Sequence, residues 1–244
     1  MKKASCPEME KNWDFVVTFH NIVPTTIRGC TGSAISKNLV VTAAHCFTNE
    51  TIEFIKVTSV AVTYYPLTPG YTHHITGLIK YKNREYSWKN GKNDIILVKV
   101  SPDLRHFAKL PDHGSYLRIG LKCKTVSWRD KNGIEVLKEK MVEIRPSEND
   151  KIRAQIIVKD YSIEGDSGSP LVCPIDGVNY LVGVLSTGDL EGANDYENVL
   201  KKLLWIKGHM QTLETQFRGL NSSANNNHAI TLVLSILILN KCII

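Results

Sequence analysis

Three short motifs carry a histidine, an aspartate and a serine, in that order along a chain of 244 residues. They are Thr42-Ala43-Ala44-His45-Cys46, Asn93-Asp94-Ile95-Ile96-Leu97 and Gly165-Asp166-Ser167-Gly168-Ser169-Pro170. A serine hydroxyl becomes an effective nucleophile only beside a base, and an imidazole serves as that base when a buried carboxylate orients it. The chain must therefore fold so that three distant segments meet, and this requirement constrains its fold more than any other feature.

Short apolar or alternating runs, bounded by Gly, Pro, Asn and Asp, occupy most of the chain. Many short strands with regular turns are typical of an all-β sandwich or barrel. A helix is predicted only near the end, where apolar residues recur at helical spacing through Glu197–Thr212. The pair His73-His74 falls in a turn-rich stretch, and we assign it no role. Predicted strands cover Phe15–Phe19, Leu39–Thr42, Phe54–Val62, Ile95–Val100, Lys124–Trp128, Ile134–Ile144, Ala154–Val158, Leu171–Cys173 and Tyr180–Leu185.

Composition excludes several classes of protein. The formal net charge is +6, but the Lys and Arg residues are scattered, so no basic stripe indicates a nucleic-acid partner. The six cysteines include no CxxC pair, and neither a metal nor an organic cofactor is expected. Widely spaced cysteines in a β-patterned chain indicate disulfides and an oxidising compartment. Glycosylation sequons at Asn49 and Asn221 fit such a setting.

The two ends of the chain bear on its location. Residues 1–8 are polar, whereas a secreted protein opens with an apolar stretch, so we expect the natural chain to begin further upstream. An Asn-rich segment, Gly219–His228, precedes an apolar run, Ala229–Leu239, that is short for a membrane-spanning helix. Together they resemble a signal for lipid (GPI) attachment. A frayed amphipathic end is the alternative, and both interpretations stay open. We expect a secreted protein, which on the first interpretation associates with a membrane through its apolar tail.

The order of the three motifs and their flanking residues resembles that of the chymotrypsin/trypsin family of serine endopeptidases, from about Trp13 to about Leu213. The resemblance implies an all-β fold of two antiparallel six-stranded barrels, with a catalytic cleft between them and a C-terminal helix. The expected divisions are an N-terminal segment 1–12 without a recognisable activation N-terminus, a first barrel 13–108, a linker 109–118, a second barrel with the helix 119–213, and a spacer and tail 214–244.

The resemblance also implies a role for each motif. His45 would act as the base, Asp94 would orient it, and Ser167 would form an acyl-enzyme during peptide-bond hydrolysis. The backbone amides of Gly165 and Ser167 would stabilise the oxyanion. The expected partners are protein or peptide substrates and protein inhibitors. The implied disulfides are Cys30–Cys46 and Cys123–Cys173, which leave Cys6 and Cys242 over.

The substrate pocket is less well defined by the sequence. By resemblance its floor lies at Tyr161 with Asp160 alongside, and its walls include Ser186, Gly188 and Asn194. An aspartate at the floor would favour Lys or Arg substrates, but here it is displaced by one residue. The Tyr161 side chain could also fill the pocket. No substrate preference is therefore predicted.

Activation separates two hypotheses about function. In this family a new Ile or Val N-terminus folds inward, and its ammonium pairs with the aspartate before the nucleophile, here Asp166. No matching segment lies near residues 1–6. We therefore expect Asp166 to be a partly buried carboxylate without its cation, which is costly. The chain is then either a serine endopeptidase or a silent, zymogen-like homologue that acts as a binding protein. The intact set of three residues favours the enzyme.

Overall fold

Twelve strands in the described part of the chain form two closed barrels. The computed structural model describes residues 13–21, 29–47, 55–59, 72–81, 91–130, 135–147, 149–158, 160 and 165–212. The strands are β1 Val16–Asn21, β2 Cys30–Ser36, β3 Leu39–Thr42, β4 Ile55–Ser59, β5 Thr72–Lys80, β6 Ile96–Ser101, β7 Lys122–Asp130, β8 Glu135–Arg145, β9 Ile152–Ile156, β10 Pro170–Ile175, β11 Val178–Gly188 and β12 Ala193–Asn198.

Each barrel contains six strands, and every neighbouring pair is antiparallel. The first closes in the order β1-β2-β3-β6-β5-β4 and the second in the order β10-β11-β12-β9-β8-β7. The predicted pair of six-stranded barrels is thus confirmed. Strands β2, β5 and β12 were not predicted. The assignment of His73-His74 to a turn-rich stretch was wrong, because both residues lie in β5 and that strand pairs with β4 and β6.

Each barrel encloses its own apolar core because alternate residues of its strands point inward. In β8, for example, Val142 and Ile144 are buried, whereas the residues that directly precede them, Met141 and Glu143, are not. The first core contains Val17, Phe19, Ala34, Val40, Ile96, Val98, Val100 and Leu104. The second contains Cys123, Val142, Ile144, Ala154, Leu171, Val182, Leu185 and Tyr196.

The connection between β6 and β7 contains no strand and includes the expected linker, 109–118. The Ala108 amide donates a hydrogen bond to the Ala34 carbonyl in the first barrel (2.8 Å). The next carbonyl, that of Lys109, accepts one from the Leu181 amide in the second barrel (2.8 Å). The chain therefore passes from one barrel to the other at this point.

Local sequence signals account for one turn and for the start of the helix in the second half of the chain. Asp176 and Gly177 both have positive φ and form the two-residue turn between β10 and β11, the conformation that an Asp-Gly pair favours. Residues 199–212 are helical, and the Asn198 side chain caps the helix by accepting a bond from the Lys201 amide (3.3 Å). The helix begins later than predicted because Glu197 belongs to β12.

Some features predicted from the sequence lie in parts of the chain that the structure does not describe. The apolar tail and the two sequons, together with Cys6 and Cys242, lie outside the described residues. Within the described residues, no helix has both the length and the apolar character needed to cross a bilayer.

Candidate active site

The His45 segment is fixed by a disulfide. His45 lies in the short 3₁₀ helix Ala44–Phe47, directly after β3, and the next residue is bonded to β2 through Cys30–Cys46. The sulfur atoms near His45 are bonded to each other, so they are not available as thiolate ligands for a metal. The second disulfide that the resemblance implied, Cys123–Cys173, joins β7 to β10. Both implied pairings are observed.

His45 contacts both of its predicted companions. Its Nδ1 lies 2.8 Å from Asp94 Oδ2, and its Nε2 lies 2.8 Å from Ser167 Oγ. The His45 amide also donates to Asp94 Oδ1 at 2.8 Å, so both carboxylate oxygens hold this residue. Because an ionised carboxylate only accepts hydrogen bonds, the Nδ1 of a neutral imidazole carries the proton. Nε2 is then left to accept the Ser167 proton.

Burial differs across these side chains in a way that suits catalysis. The Asp94 side chain is fully buried, while 21% of the His45 side chain is exposed. The carboxylate is thereby shielded from water, and the imidazole remains accessible from outside. The loop before β6 turns sharply at Asn93, which has a φ of 58°, and this turn directs Asp94 inward.

Asp94 has further partners that the sequence did not predict. The buried Ser186 hydroxyl lies 2.6 Å from Asp94 Oδ2, and Lys151 Nζ lies 2.7 Å from the same hydroxyl oxygen. An ammonium group only donates hydrogen bonds, so Ser186 accepts from Lys151 and donates to Asp94. The prediction that Ser186 lines the substrate pocket stays a prediction, and the hydrogen bond from its hydroxyl to Asp94 is an additional contact.

A buried ionic cluster lies beside the Asp94 backbone. The Asp94 amide donates to Glu197 Oε1 at 3.0 Å, and the other oxygen of this carboxylate pairs with Lys202 Nζ at 2.7 Å. Lys151 lies 3.6 Å from Glu197 Oε1. The Glu197 and Lys202 side chains are almost wholly buried, at 2% and 7% exposed. Neighbouring ammonium groups therefore compensate the buried Glu197 charge.

The segment around Ser167 is held against the first barrel. The Thr31 amide donates to the Ser167 carbonyl (2.8 Å), and the Thr31 hydroxyl donates to the Gly165 carbonyl (3.0 Å). Gly168 has a φ of 82°, and a Cβ there would overlap the Thr31 carbonyl and the Thr42 hydroxyl. Only glycine permits this approach of the two backbones.

These contacts leave two amides of the segment available. Among the residues that the structure describes, neither the Gly165 nor the Ser167 amide has a hydrogen-bond acceptor. The carbonyls of the same two residues are both bonded to Thr31. At Gly165 and Ser167 the segment is thus held through carbonyl groups, while the Gly168 amide donates to the Leu185 carbonyl (2.8 Å).

The expectation that Asp166 lacks a cation was wrong. Lys140 Nζ lies 3.0 Å from Asp166 Oδ2, and the two side chains are 5% and 2% exposed. Lys140 points inward from β8, on the same face as the core residues Val142 and Ile144. This alternation was visible in the sequence and could have identified an inward-facing lysine.

The expected pocket residues are only partly described. Tyr161 lies outside the described residues. Asp160 Oδ2 lies 2.8 Å from Lys138 Nζ, so its charge already has a partner. Asn194 is buried and its amide group donates to the Tyr196 hydroxyl (3.3 Å), while Gly188 pairs with Asn194 across β11 and β12. Burial raises the pKa of Tyr196 to about 12, which keeps this hydroxyl neutral.

Comparison with known proteins agrees with the two-barrel fold. Among solved structures, human heparin binding protein superposes with a TM-score of 0.66 at 20% identity, over 80% of this chain and 91% of that one. A mutant of the same human protein (CAP37) gives a TM-score of 0.68 at 20% identity, over 82% and 92%. At this level of identity the likeness concerns the fold, which is the chymotrypsin fold.

Sequence relatives include the hepatocyte growth factor activator serine protease of Mus musculus, 28% identical over 75% of this chain and 33% of the relative. A similarly described protein of Canis lupus familiaris is 28% identical over 73% of this chain and 32% of the relative. The chain thus spans about a third of the length of these relatives. The family model described as Trypsin matches residues 6–205. The chain belongs to the trypsin family of serine proteases.

Proposed function

We propose that the chain is a serine endopeptidase that hydrolyses peptide bonds through an acyl-enzyme on Ser167. The observation that carries the proposal is the pair of 2.8 Å contacts from His45, one to Asp94 and one to Ser167. Three residues from distant segments meet in the geometry that activates a serine hydroxyl.

The first step is attack by Ser167 Oγ on the carbonyl carbon of the scissile peptide. His45 Nε2 accepts the hydroxyl proton and becomes an imidazolium, which the buried Asp94 carboxylate stabilises. His45 then returns the proton to the departing amine, leaving an acyl group on Ser167. A water molecule attacks this ester with His45 again as the base, and the acid product leaves.

The available amides of Gly165 and Ser167 supply the second element of the proposal. In the tetrahedral intermediate the former carbonyl oxygen carries negative charge, and two fixed N–H donors would stabilise it. Each such donor contributes roughly 3 kcal/mol to transition-state stabilisation. Gly165 has a φ of 96°, and its carbonyl is held by Thr31, which supports a fixed orientation for this donor.

The competing hypothesis is a silent homologue that acts as a binding protein. Its main argument was an uncompensated Asp166 beside the nucleophile, and the pairing with Lys140 removes that argument. The trypsin family implies protein or peptide substrates. Protein inhibitors as partners, and membrane association through the tail, remain parts of the proposal. Two disulfides support an oxidising, extracellular location.

We do not propose a preference for substrates with Lys or Arg at the cleavage site. The Asp160 carboxylate is engaged by Lys138, which argues against its use as the charge partner of a substrate Lys or Arg.

Hydrolysis of fluorescently labelled casein by the purified full chain tests the proposal. We expect measurable cleavage, with Ser167→Ala or His45→Ala reducing the rate by about 10⁴-fold or more. Lys124→Met, which removes a half-exposed surface pair with Glu139, serves as the control and should leave the rate unchanged. Casein cleavage that survives Ser167→Ala would contradict the acyl-enzyme on Ser167, and casein binding without cleavage would favour the competing hypothesis.

A further inference from the structure

We propose that Lys140 is a positioning residue that holds the oxyanion-binding segment through Asp166, so that the site is competent without an ammonium group from a chain terminus. This inference rests on the proposed function and adds to it the contact that holds the oxyanion-binding segment in position. It does not depend on what precedes residue 13.

The burial of the pair is the first support. Lys140 and Asp166 lie 3.0 Å apart with 5% and 2% of their side chains exposed. A lysine directed into a barrel core is unfavourable unless its charge is paired, and the same is true of a buried aspartate. Each residue therefore makes the position of the other energetically acceptable.

The location of Asp166 is the second support. It lies between Gly165 and Ser167, the two residues whose amides we assign to oxyanion stabilisation, and its own carbonyl accepts a bond from the Ser169 amide (3.0 Å). The Gly165 and Ser167 carbonyls are held by Thr31 from the first barrel. Lys140, from β8 of the second barrel, forms an ion pair with the side chain of Asp166 between these two residues.

The third support is the rigid backbone that carries Lys140. Lys140 is in the interior of β8 and lies opposite Thr125 of β7 in an unbroken antiparallel register. Its backbone is thus fixed by the sheet, unlike that of a free chain terminus. A cation placed this way is present as soon as the second barrel has folded, so no later cleavage of the chain is needed to supply it.

The main test compares the rate at which a fluorophosphonate modifies Ser167 in the full chain and in Lys140→Met. Methionine keeps the length of the side chain but removes its charge. We expect the rate to fall by about 100-fold or more, the effect of losing an oxyanion donor. Lys124→Met removes a surface ion pair of the same 3.0 Å length and should react like the parent. Equal rates in Lys140→Met and the parent would overturn the inference.

The second test concerns the chain terminus. The full chain with its amino terminus acetylated should react as fast as the unblocked chain, because the cation is internal. Reaction that appears only after a cleavage creates a new amino terminus would contradict the inference. Absence of Ser167 modification under all these conditions would instead count against the proposed function itself, so the two failures are distinguishable.

Two further variants separate positioning from simple loss of folding. In Lys140→Met with Asp166→Asn no buried charge remains unpaired, so the protein should fold, yet the reaction should stay about 100-fold slow. In Lys140→Ala, n-butylammonium chloride should accelerate the reaction, while sodium chloride at the same concentration should not. A normal rate in the double variant, or no difference between the two salts, would refute the positioning role.

Discussion

Lys151 Nζ lies 2.7 Å from Ser186 Oγ, and this contact determines the direction in which the Ser186 hydroxyl donates. The hydroxyl has one proton, and the ammonium can only donate, so the Ser186 proton is directed to Asp94 Oδ2 at 2.6 Å. The carboxylate that orients His45 is therefore connected to a cation through a single hydroxyl. This arrangement fixes the orientation of the Asp94 carboxylate that contacts His45.

Removing this connection should slow catalysis without altering the nucleophile. Ser186→Ala deletes a hydrogen bond to a buried carboxylate, and such bonds contribute about 1.5–3 kcal/mol, so we expect kcat/KM to fall by roughly 10-fold to 100-fold. Lys151→Met should produce a smaller loss. Because Lys151 acts through Ser186, it should have little further effect on kcat/KM in the Ser186→Ala background. Independent, additive losses in this double-mutant cycle would show that the two residues act separately.

The ionic cluster at Glu197 should matter mainly for stability. Glu197→Gln leaves the buried Lys202 without its anionic partner, and breaking a buried pair in this way costs about 3–5 kcal/mol. Urea unfolding followed by circular dichroism measures the loss. The matched control is Asp150→Asn, which removes the exposed partner of the neighbouring Lys201 and should have no measurable effect. Similar stability changes in the two variants would argue against a buried cluster.

Gly168→Ala should be among the most damaging single changes in the chain. The added Cβ overlaps backbone and side-chain oxygens of the first barrel, and the left-handed conformation adds strain. We expect a large drop in the urea midpoint together with loss of activity. At Gly177 φ is also positive, but no described atom lies within 4 Å of the position that an added Cβ would take, so Gly177→Ala should cost only roughly 1–2 kcal/mol. Equal effects at the two glycines would contradict the described docking of the Ser167 segment.

Alkaline stability should depend on Tyr196. Burial raises the pKa of this residue to about 12, whereas the exposed phenol of an unfolded chain titrates near 10. Above about pH 10 the unfolded chain loses the proton that the folded chain still holds, so the free energy of unfolding falls as pH rises towards about 12. Tyr196→Phe should lack this component. The test is whether the two proteins differ in the slope of unfolding free energy between about pH 10 and about pH 12, and parallel slopes would refute the assignment.

The sequence predicted those strands whose apolar residues form a run or alternate with polar ones. Strand β3 was predicted residue for residue as Leu39–Thr42, because all four residues are buried. Strand β12 was missed because its buried positions include polar Asn194 and Glu197, which give no hydrophobic alternation. Strand β2 was missed for a similar reason, since Thr31 and Ser33 are fully buried in it.

At the site, the sequence predicted the three motif residues but not the side chains that support them, for a related reason. Short motifs identified His45, Asp94 and Ser167, because each of these residues lies in a distinctive local sequence. The partners of Asp94 and Asp166 come from β8, β11 and β12, and the lysines that contact those partners lie next to β9 and β12. The local sequences of all these residues are not distinctive. Which lysine meets which carboxylate depends on strand register and barrel closure, and neither can be read from one segment.

The central claim is that His45 activates Ser167 as a nucleophile. Mass-spectrometric mapping of the full chain after reaction with a fluorophosphonate tests it most directly. We predict modification at Ser167 and at no other serine, with no reaction at Ser167 in the His45→Ala variant. An unmodified Ser167 in the parent chain, or equal modification of Ser167 in His45→Ala, would contradict the account.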